Sequence, residues 1–347
     1  EKLTRIYPQK NLFSHIIGQI DNDNNGISGI EKSFDKKLKY IKKPLRLTVD
    51  TDIQFLVREE LKKFISIFQS KGGAAILMDV NNGEVISMVS YPDFNLNERA
   101  TIEDQNYINR ATKGVYELGS VFKTFTVAAG LDKGLVEPQT EFVKLKKKIS
   151  CGKNTIAEYD NKIMSDLTVE EILIKSGNIG SVRIGQMLEI EGLKSFLKKI
   201  GILNKIDFNI EEVGEPIPFR WGKCKLATTS FGHGITTTPL QLTKAYAIIS
   251  NGGFEIKPTL IMNKLNDNRK RIVKESTSKA INLILRKIVV EGTAKLANVN
   301  GYEIGGKTGT ANKTAKGEYT KKKINTFASI FPTSNPKFVL IVLMEET

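Results

Sequence analysis

Cysteine and histidine are scarce in this 347-residue chain, which has two of each. Cys151 and Cys224 are too few for a disulfide framework and are not spaced as metal ligands. With His15 and His233 far apart, no structural zinc site is expected. Whether the two cysteines pair is left open at this stage. Long apolar runs are missing as well. A membrane helix needs roughly 20 apolar residues, and the longest run here, Phe338 to Met344, reads as a buried strand. No signal-peptide pattern is present and the first residue is not Met, so the expectation is a fragment whose targeting segment lies upstream or was removed. No internal repeat or low-complexity tract is visible.

What is present suits a globular protein. Hydrophobic residues make up 40% and charged residues 26% of the chain, which excludes wholesale disorder. The length favours one large domain with a smaller piece. The formal net charge is +14, with lysine clusters at Lys36 to Lys43, Lys144 to Lys148 and Lys313 to Lys323. Such runs usually solvate a surface, and attraction to anionic headgroups or an anionic polymer is the functional alternative. No recognition motif accompanies the charge, so no nucleic-acid partner is expected.

Residues 1–45 are rich in Asn, Asp, Gly and Lys, with one apolar patch from Leu12 to Ile20. They read as a small irregular module, and residues 46–347 as the main domain. Leu45 to Val49 is strand-like. Asp50 or Asp52 would cap a helix through about Phe68 with apolar positions Ile53, Leu56, Val57, Leu61 and Phe64. Two strands, 74–80 and 85–89, flank the turn Asn81-Asn82-Gly83, a strong hairpin signal. Helices are expected from Ser120 to Lys133 and over 168–176, 179–189, 238–250 and 276–291. Strands are expected over 302–308, 325–331 and 337–344. Two early strands, helices between and three late strands imply an α+β design, with one antiparallel five-stranded sheet flanked by helices.

Three tracts carry candidate chemistry. In Gly119-Ser120-Val121-Phe122-Lys123, the serine and lysine share one helix face a turn apart. A serine is a poor nucleophile until a base takes its proton, and a lysine serves as that base once desolvation or a neighbouring cation lowers its pKa. A helix start would also offer unpaired N–H groups to an oxyanion. Ser176-Gly177-Asn178 puts a hydroxyl and an amide where both can line a cleft. In Gly305 to Thr310, Lys307 supplies a cation, Thr308 and Thr310 supply hydroxyls, and Gly309 lets an extended peptide approach the strand edge. Each tract alone has a plainer reading: a capping serine, a helix break and a Gly-rich turn.

Two competing chemistries are weaker. Gly301 to Thr308 also satisfies the phosphate-cradling pattern G-x-x-x-x-G-K-[ST], which requires a strand before it and a helix after it. Here Gly309 to Lys323 is polar and turn-like. A Ser-His-Asp site would have to use His233, yet no G-x-S-x-G elbow precedes it.

Ser-x-x-Lys, Ser-x-Asn and Lys-Thr-Gly, in that order, resemble the signature of serine penicillin-binding proteins and class A β-lactamases. The resemblance extends along the chain. Tyr7-Pro8, His15 to Gly18 and Gly26 to Glu31 look like the linker module of class B penicillin-binding proteins. Leu47 to Asp50 with Gln54, Asn109 to Ala111, and Tyr116 to Gly119 look like the lead-in to their transpeptidase domain. Phe231 to Leu242 resembles the tract before their last strands, and Phe231 to Ile235 with the opening residues is closer to division-specific members than to elongation-specific ones. Leu118 stands where many relatives have proline.

That resemblance implies the penicillin-binding, β-lactamase-like transpeptidase fold and a peptidoglycan D,D-transpeptidase inhibited by β-lactams. Ser120 would attack the penultimate D-alanine of a stem peptide, Lys123 would take its proton and Ser176 would relay it. Asn178 would hold the acyl amide, and Lys307, Thr308 and Thr310 the substrate carboxylate. The backbone N–H groups of Ser120 and Thr310 would form the oxyanion hole. No metal or other cofactor is implied. The implied partners are stem peptides, a membrane glycosyltransferase and other division proteins, at the periplasmic face of the inner membrane. An elongation-specific class B transpeptidase, a β-lactamase or β-lactam sensor, and a non-catalytic scaffold of a wall-synthesis complex are the alternatives.

Overall fold

The computed structural model describes residues 5–40, 43–98, 104–152, 154–262, 269–315 and 318–346. Residues 1–4 and 41–42 of the expected leading module, with Lys42 and Lys316 of the lysine clusters, lie outside the described residues. The leading segment forms three short helices, α1 (Ser14–Ile17), α2 (Gly29–Ser33) and α3 (Asp35–Tyr40). Ile16 and Ile30 join the main apolar core, and the Glu212 carboxylate accepts the Gly29 N–H at 2.9 Å.

The expected strand over Leu45 to Val49 is not formed. Only Leu47 makes a bridge, to Ile261. Asp50 then caps α4 (Thr51–Ile67), its carboxylate accepting from the N–H groups of Asp52 and Ile53 at 3.0 Å each. The buried face of α4 differs from the expected one. Leu61 and Ile65 pack on the sheet, whereas Leu56 and Phe64 are exposed. The helix is apolar on more than one side, so apolar letters alone could not choose the face. Gln54 takes an inward position because its amide has partners there: it accepts from Ser87 Oγ and Met88 N–H and donates to the carbonyls of Met88 and Leu12.

Strands β1 (Gly72–Asp79) and β2 (Val85–Tyr91) flank the Asn-Gly turn as expected. Gly83 has φ +78°, and a Cβ there would lie 2.3 Å from the Lys257 carbonyl oxygen. Helix α5 (Lys123–Lys133) ends at Gly134 in the left-handed region. Two small pairings follow: β3 (Glu141–Phe142) with the later β6 (Leu167–Thr168), and β4 (Lys148–Cys151) with β5 (Asn154–Ala157). Helix α6 (Val169–Ile174) starts on a capping box of Thr168 and Glu171. Helix α7 (Asn178–Lys199) breaks at Glu189, where the sequence expectation ended it, but resumes beyond. Then come α8 (Lys223–Thr229), α9 (Pro239–Ser250) and α10 (Glu275–Val290).

The chain closes with β7 (Gly305–Ala315), β8 (Glu318–Phe331) and β9 (Phe338–Glu345). Gly309 to Lys323, read as turn-like, instead lies largely in a long β7–β8 hairpin; its polar, largely exposed residues lack the alternation that signals a strand. The sheet has five antiparallel strands in the order β2-β1-β9-β8-β7. Alternate residues of β9 serve its two faces: Val342 and Met344 meet α4, while Val339, Ile341 and Leu343 meet the helical body. Strand β7 is an edge strand, which leaves one side of its backbone available to the site. Cys151 and Cys224 form a disulfide that ties β4 to α8. Among the described residues no helix is long and apolar enough to cross a membrane.

Candidate active site

Three glycines allow the backbone to close around Ser120. Ser120 lies in a one-turn 3-10 helix, Gly119–Phe122, that leads into α5, so the α-helix begins at Lys123 rather than at Ser120 as expected. Gly119 has φ +62°, and a Cβ on it would sit 2.4 Å from the Thr310 carbonyl oxygen. A Cβ on Gly309 would meet the Leu118 carbonyl oxygen at 2.3 Å, and one on Gly232 would meet that of Gly119 at 1.9 Å. The β7 edge and the loop after α8 therefore press directly on the serine turn. Gly309 is needed for this approach of strand to turn, a tighter constraint than room for a peptide.

Behind Ser120 two lysine amines meet at one hydroxyl. Lys123 Nζ donates to the Ser176 carbonyl at 2.5 Å and to Ser176 Oγ at 3.1 Å. Lys307 Nζ donates to Ser176 Oγ at 2.9 Å and to the Thr308 carbonyl at 2.9 Å. Both lysines are fully buried. Burial, then the charge of Lys307, push the Lys123 amine well below its usual range, against the opposing charge of Glu158. Burial alone brings Lys307 down to about 7. The Lys307 charge thus adds to burial in disfavouring a proton on Lys123.

The three tracts thus converge from α5, from the α6–α7 junction and from β7. Among the described residues no hydrogen bond joins Lys123 to Ser120, whose side chain is half-exposed beside it in chain order. Such contacts are often long before a substrate binds. Asn178 opens α7, and its Nδ2 donates to the Ala157 carbonyl at 2.8 Å. Thr308 Oγ1 lies 3.2 Å from Thr293 Oγ1, and Thr310 Oγ1 donates to Asn325 Oδ1 at 2.9 Å. The phosphate-loop alternative fails on context, because the tract runs on as a strand with Lys307 directed at Ser176.

The sequence reading missed several neighbours. Glu158 accepts from the N–H groups of Asn178 and Ile179. The Tyr159 ring lies 6.0 Å from Lys123 Nζ. Burial, then the charge of Lys123, push His233 below its usual pKa. None belongs to a spaced motif, so only the Phe231 to Gly234 tract hinted at any of them. A cavity of about 360 Å³ opens beside Tyr159 and Thr293. A larger one, about 780 Å³, lies between Phe34 and residues 205–213 and holds none of the candidate residues. Neither cavity is lined by Ser120, Lys123, Ser176 or Lys307; the smaller one borders their neighbours Tyr159, Lys175 and Thr293.

Residues 73–347 match the penicillin binding protein transpeptidase domain. The chain is 31% identical to the "Probable peptidoglycan D,D-transpeptidase FtsI" of Caulobacter vibrioides, covering 100% of this chain and 61% of that protein. It is 30% identical to the peptidoglycan D,D-transpeptidase FtsI of Escherichia coli, covering 100% of this chain and 63% of the relative. It therefore spans about three fifths of the length of these relatives. Among solved structures, penicillin binding protein 3 of Mycobacterium tuberculosis superposes with a TM-score of 0.90 at 25% identity, covering 99% of this chain and 84% of that one. That protein has also been solved with aztreonam and with ampicillin.

Proposed function

The chain belongs to the penicillin-binding protein transpeptidase family, as a class B, FtsI-like member, and from that membership we propose that it cross-links peptidoglycan through an acyl-enzyme on Ser120. The observation that carries the proposal is the shared hydroxyl: Ser176 Oγ bonded to both buried amines, Lys123 and Lys307.

The chemistry follows from their acidities. With Lys123 deprotonated, its amine takes the proton of Ser120 Oγ as that oxygen bonds to the carbonyl carbon of the penultimate D-alanine. The N–H groups of Ser120 and Thr310 receive the oxyanion. Ser176 passes the proton to the departing nitrogen, the amide C–N bond breaks, and D-alanine leaves. Asn178 holds the acyl chain, while protonated Lys307 with Thr308 and Thr310 binds the carboxylate; Gly309 keeps the strand close enough to do so. The amine of a second stem peptide then attacks the ester, gives up a proton by the same relay and restores Ser120. The scheme uses no metal or organic cofactor.

A β-lactam would enter as a substrate whose leaving group stays tethered and obstructs the acceptor. The division-type relatives support a septal role, beside a membrane glycosyltransferase and other division proteins on the periplasmic face of the inner membrane. Labelled penicillin tests the scheme. One stable adduct per chain is expected at Ser120, abolished in Ser120→Ala and slowed about 10²–10⁴-fold in Lys123→Ala, the usual worth of a positioned base. An adduct on another serine, or none from folded protein, would overturn it.

A further inference from the structure

Ser176 holds a backbone conformation that a side chain disfavours. Its φ is +57°, in the left-handed region, and from that turn its hydroxyl reaches both lysines. Two contacts brace it. On one side Lys123 donates to the Ser176 carbonyl. On the other, Glu158 Oε2 accepts the Asn178 N–H at 2.6 Å and Glu158 Oε1 accepts the Ile179 N–H at 2.9 Å. These are the first two amides of α7, which have no partner within the helix. The N-cap residue is Gly177, with no side chain to serve them. The cap therefore comes from elsewhere in the chain, from the residue that follows β5.

We propose that Glu158 is a positioning residue of this active site: by holding the first amides of α7 it fixes Ser176 in the turn that presents its hydroxyl to Lys123 and Lys307. The inference rests on the transpeptidase reading above. The same carboxylate bears on the charge of the site. The Lys123 amine faces Lys307 from β7, Ser176 from the α6–α7 junction, the Tyr159 ring, and His233 from the loop after α8. Among the described residues Glu158 is the group whose charge favours the protonated amine. Removing it has two opposite effects. The Ser176 turn loosens and the rate falls, while Lys123 loses its proton more readily and the acid limb of the pH profile moves to lower pH.

The test uses Glu158→Ala, Glu158→Gln and Glu158→Asp in the full chain. Acylation by benzylpenicillin is followed across pH, and amide hydrogen exchange at Asn178 and Ile179 is read without ligand. In the Ala and Gln variants the acylation rate constant should fall about ten- to a hundredfold, with the acid limb at lower pH and faster exchange at both amides. Asp should restore part of each. Glu158→Gln keeps the side chain's size, so it carries the test if the Ala variant does not fold. Wild-type rate with an unmoved limb overturns the proposal. So does unchanged exchange, or a fall in rate with neither shift nor rescue, which would make Glu158 a packing residue. If the wild-type chain itself is not acylated, the transpeptidase reading fails, while the exchange rates still decide the role of Glu158.

Discussion

Burying an ammonium is costly unless it is paired, and this molecule buries two against a serine hydroxyl and backbone carbonyls. The cost is useful for the proposed chemistry, since it makes Lys123 easier to deprotonate and leaves Lys307 short of an anion that a substrate carboxylate would supply. It also has a signature in stability. Lys307 falls from its usual value to about 7 in the folded protein, so between about 7 and roughly 10.4 the unfolded chain binds more protons. Stability should therefore rise with pH across that window, with the full penalty present below it. Lys307→Met removes the charge. At neutral pH it should be more stable than the wild type by up to roughly 4 kcal/mol, the shift converted at about 1.36 kcal/mol per unit, and the gap should close toward pH 10. Its acylation by penicillin should fall by about one to two decades, the worth of a charge-assisted bond. Denaturant titrations at several pH values check the first claim. A Met variant less stable at neutral pH, or one acylated normally, would remove Lys307 from the anchor role.

Elements differ in how openly the sequence announces them. Helix α4, the β1–β2 hairpin, α9 and the strand β9 were legible, because each joins a cap or turn signal to a long apolar pattern. The site was legible as three ordered tracts, since Ser120, Lys123, Ser176 and Lys307 fall within recognisable spacings. What brings them together was not. The β4–β5 hairpin is built from strands of four residues each, too short to signal themselves, yet its end supplies Ala157 and Glu158 to the start of α7. The 3-10 turn at Ser120 depends on Gly232 and Gly309, whose need for close approach shows only once strand and loop are packed. The hairpin is pinned by Cys151–Cys224, which closes a sequence separation of 73 residues. Chain-entropy reasoning gives such a link roughly 4 kcal/mol. Replacing both cysteines by serine should lower unfolding stability by about 2–4 kcal/mol, and exposure to reductant should have no further effect on that variant. Denaturant unfolding with and without reductant measures both. Equal stability of the two proteins would mean the disulfide leaves the unfolded chain unconstrained.

At the scale of the whole molecule the question is what the leading segment does for the rest. We propose a boundary near residue 45, with the segment before it docked on the main domain rather than part of the site. Its contacts are structural in kind. Ile16 and Ile30 enter the main core, Leu12 accepts from Gln54, and the His15 carbonyl accepts from Asn109 Nδ2 at 3.2 Å. Among the described residues before 45, none hydrogen-bonds to Ser120, Lys123, Ser176 or Lys307. Removing residues 1–44 should therefore separate stability from chemistry. Losing the two isoleucines that enter the main core resembles two core truncations, each costing about 2–5 kcal/mol, although exposed ends of the remaining surface can relax and reduce the sum. The shortened chain should melt at a clearly lower temperature, yet each folded molecule should react with labelled penicillin within a few-fold of the full-length rate. Thermal unfolding together with active-site titration at low temperature distinguishes the two quantities. A shortened chain that stays folded but loses acylation would place the leading segment within the catalytic unit, because only a change in site geometry could then explain the loss.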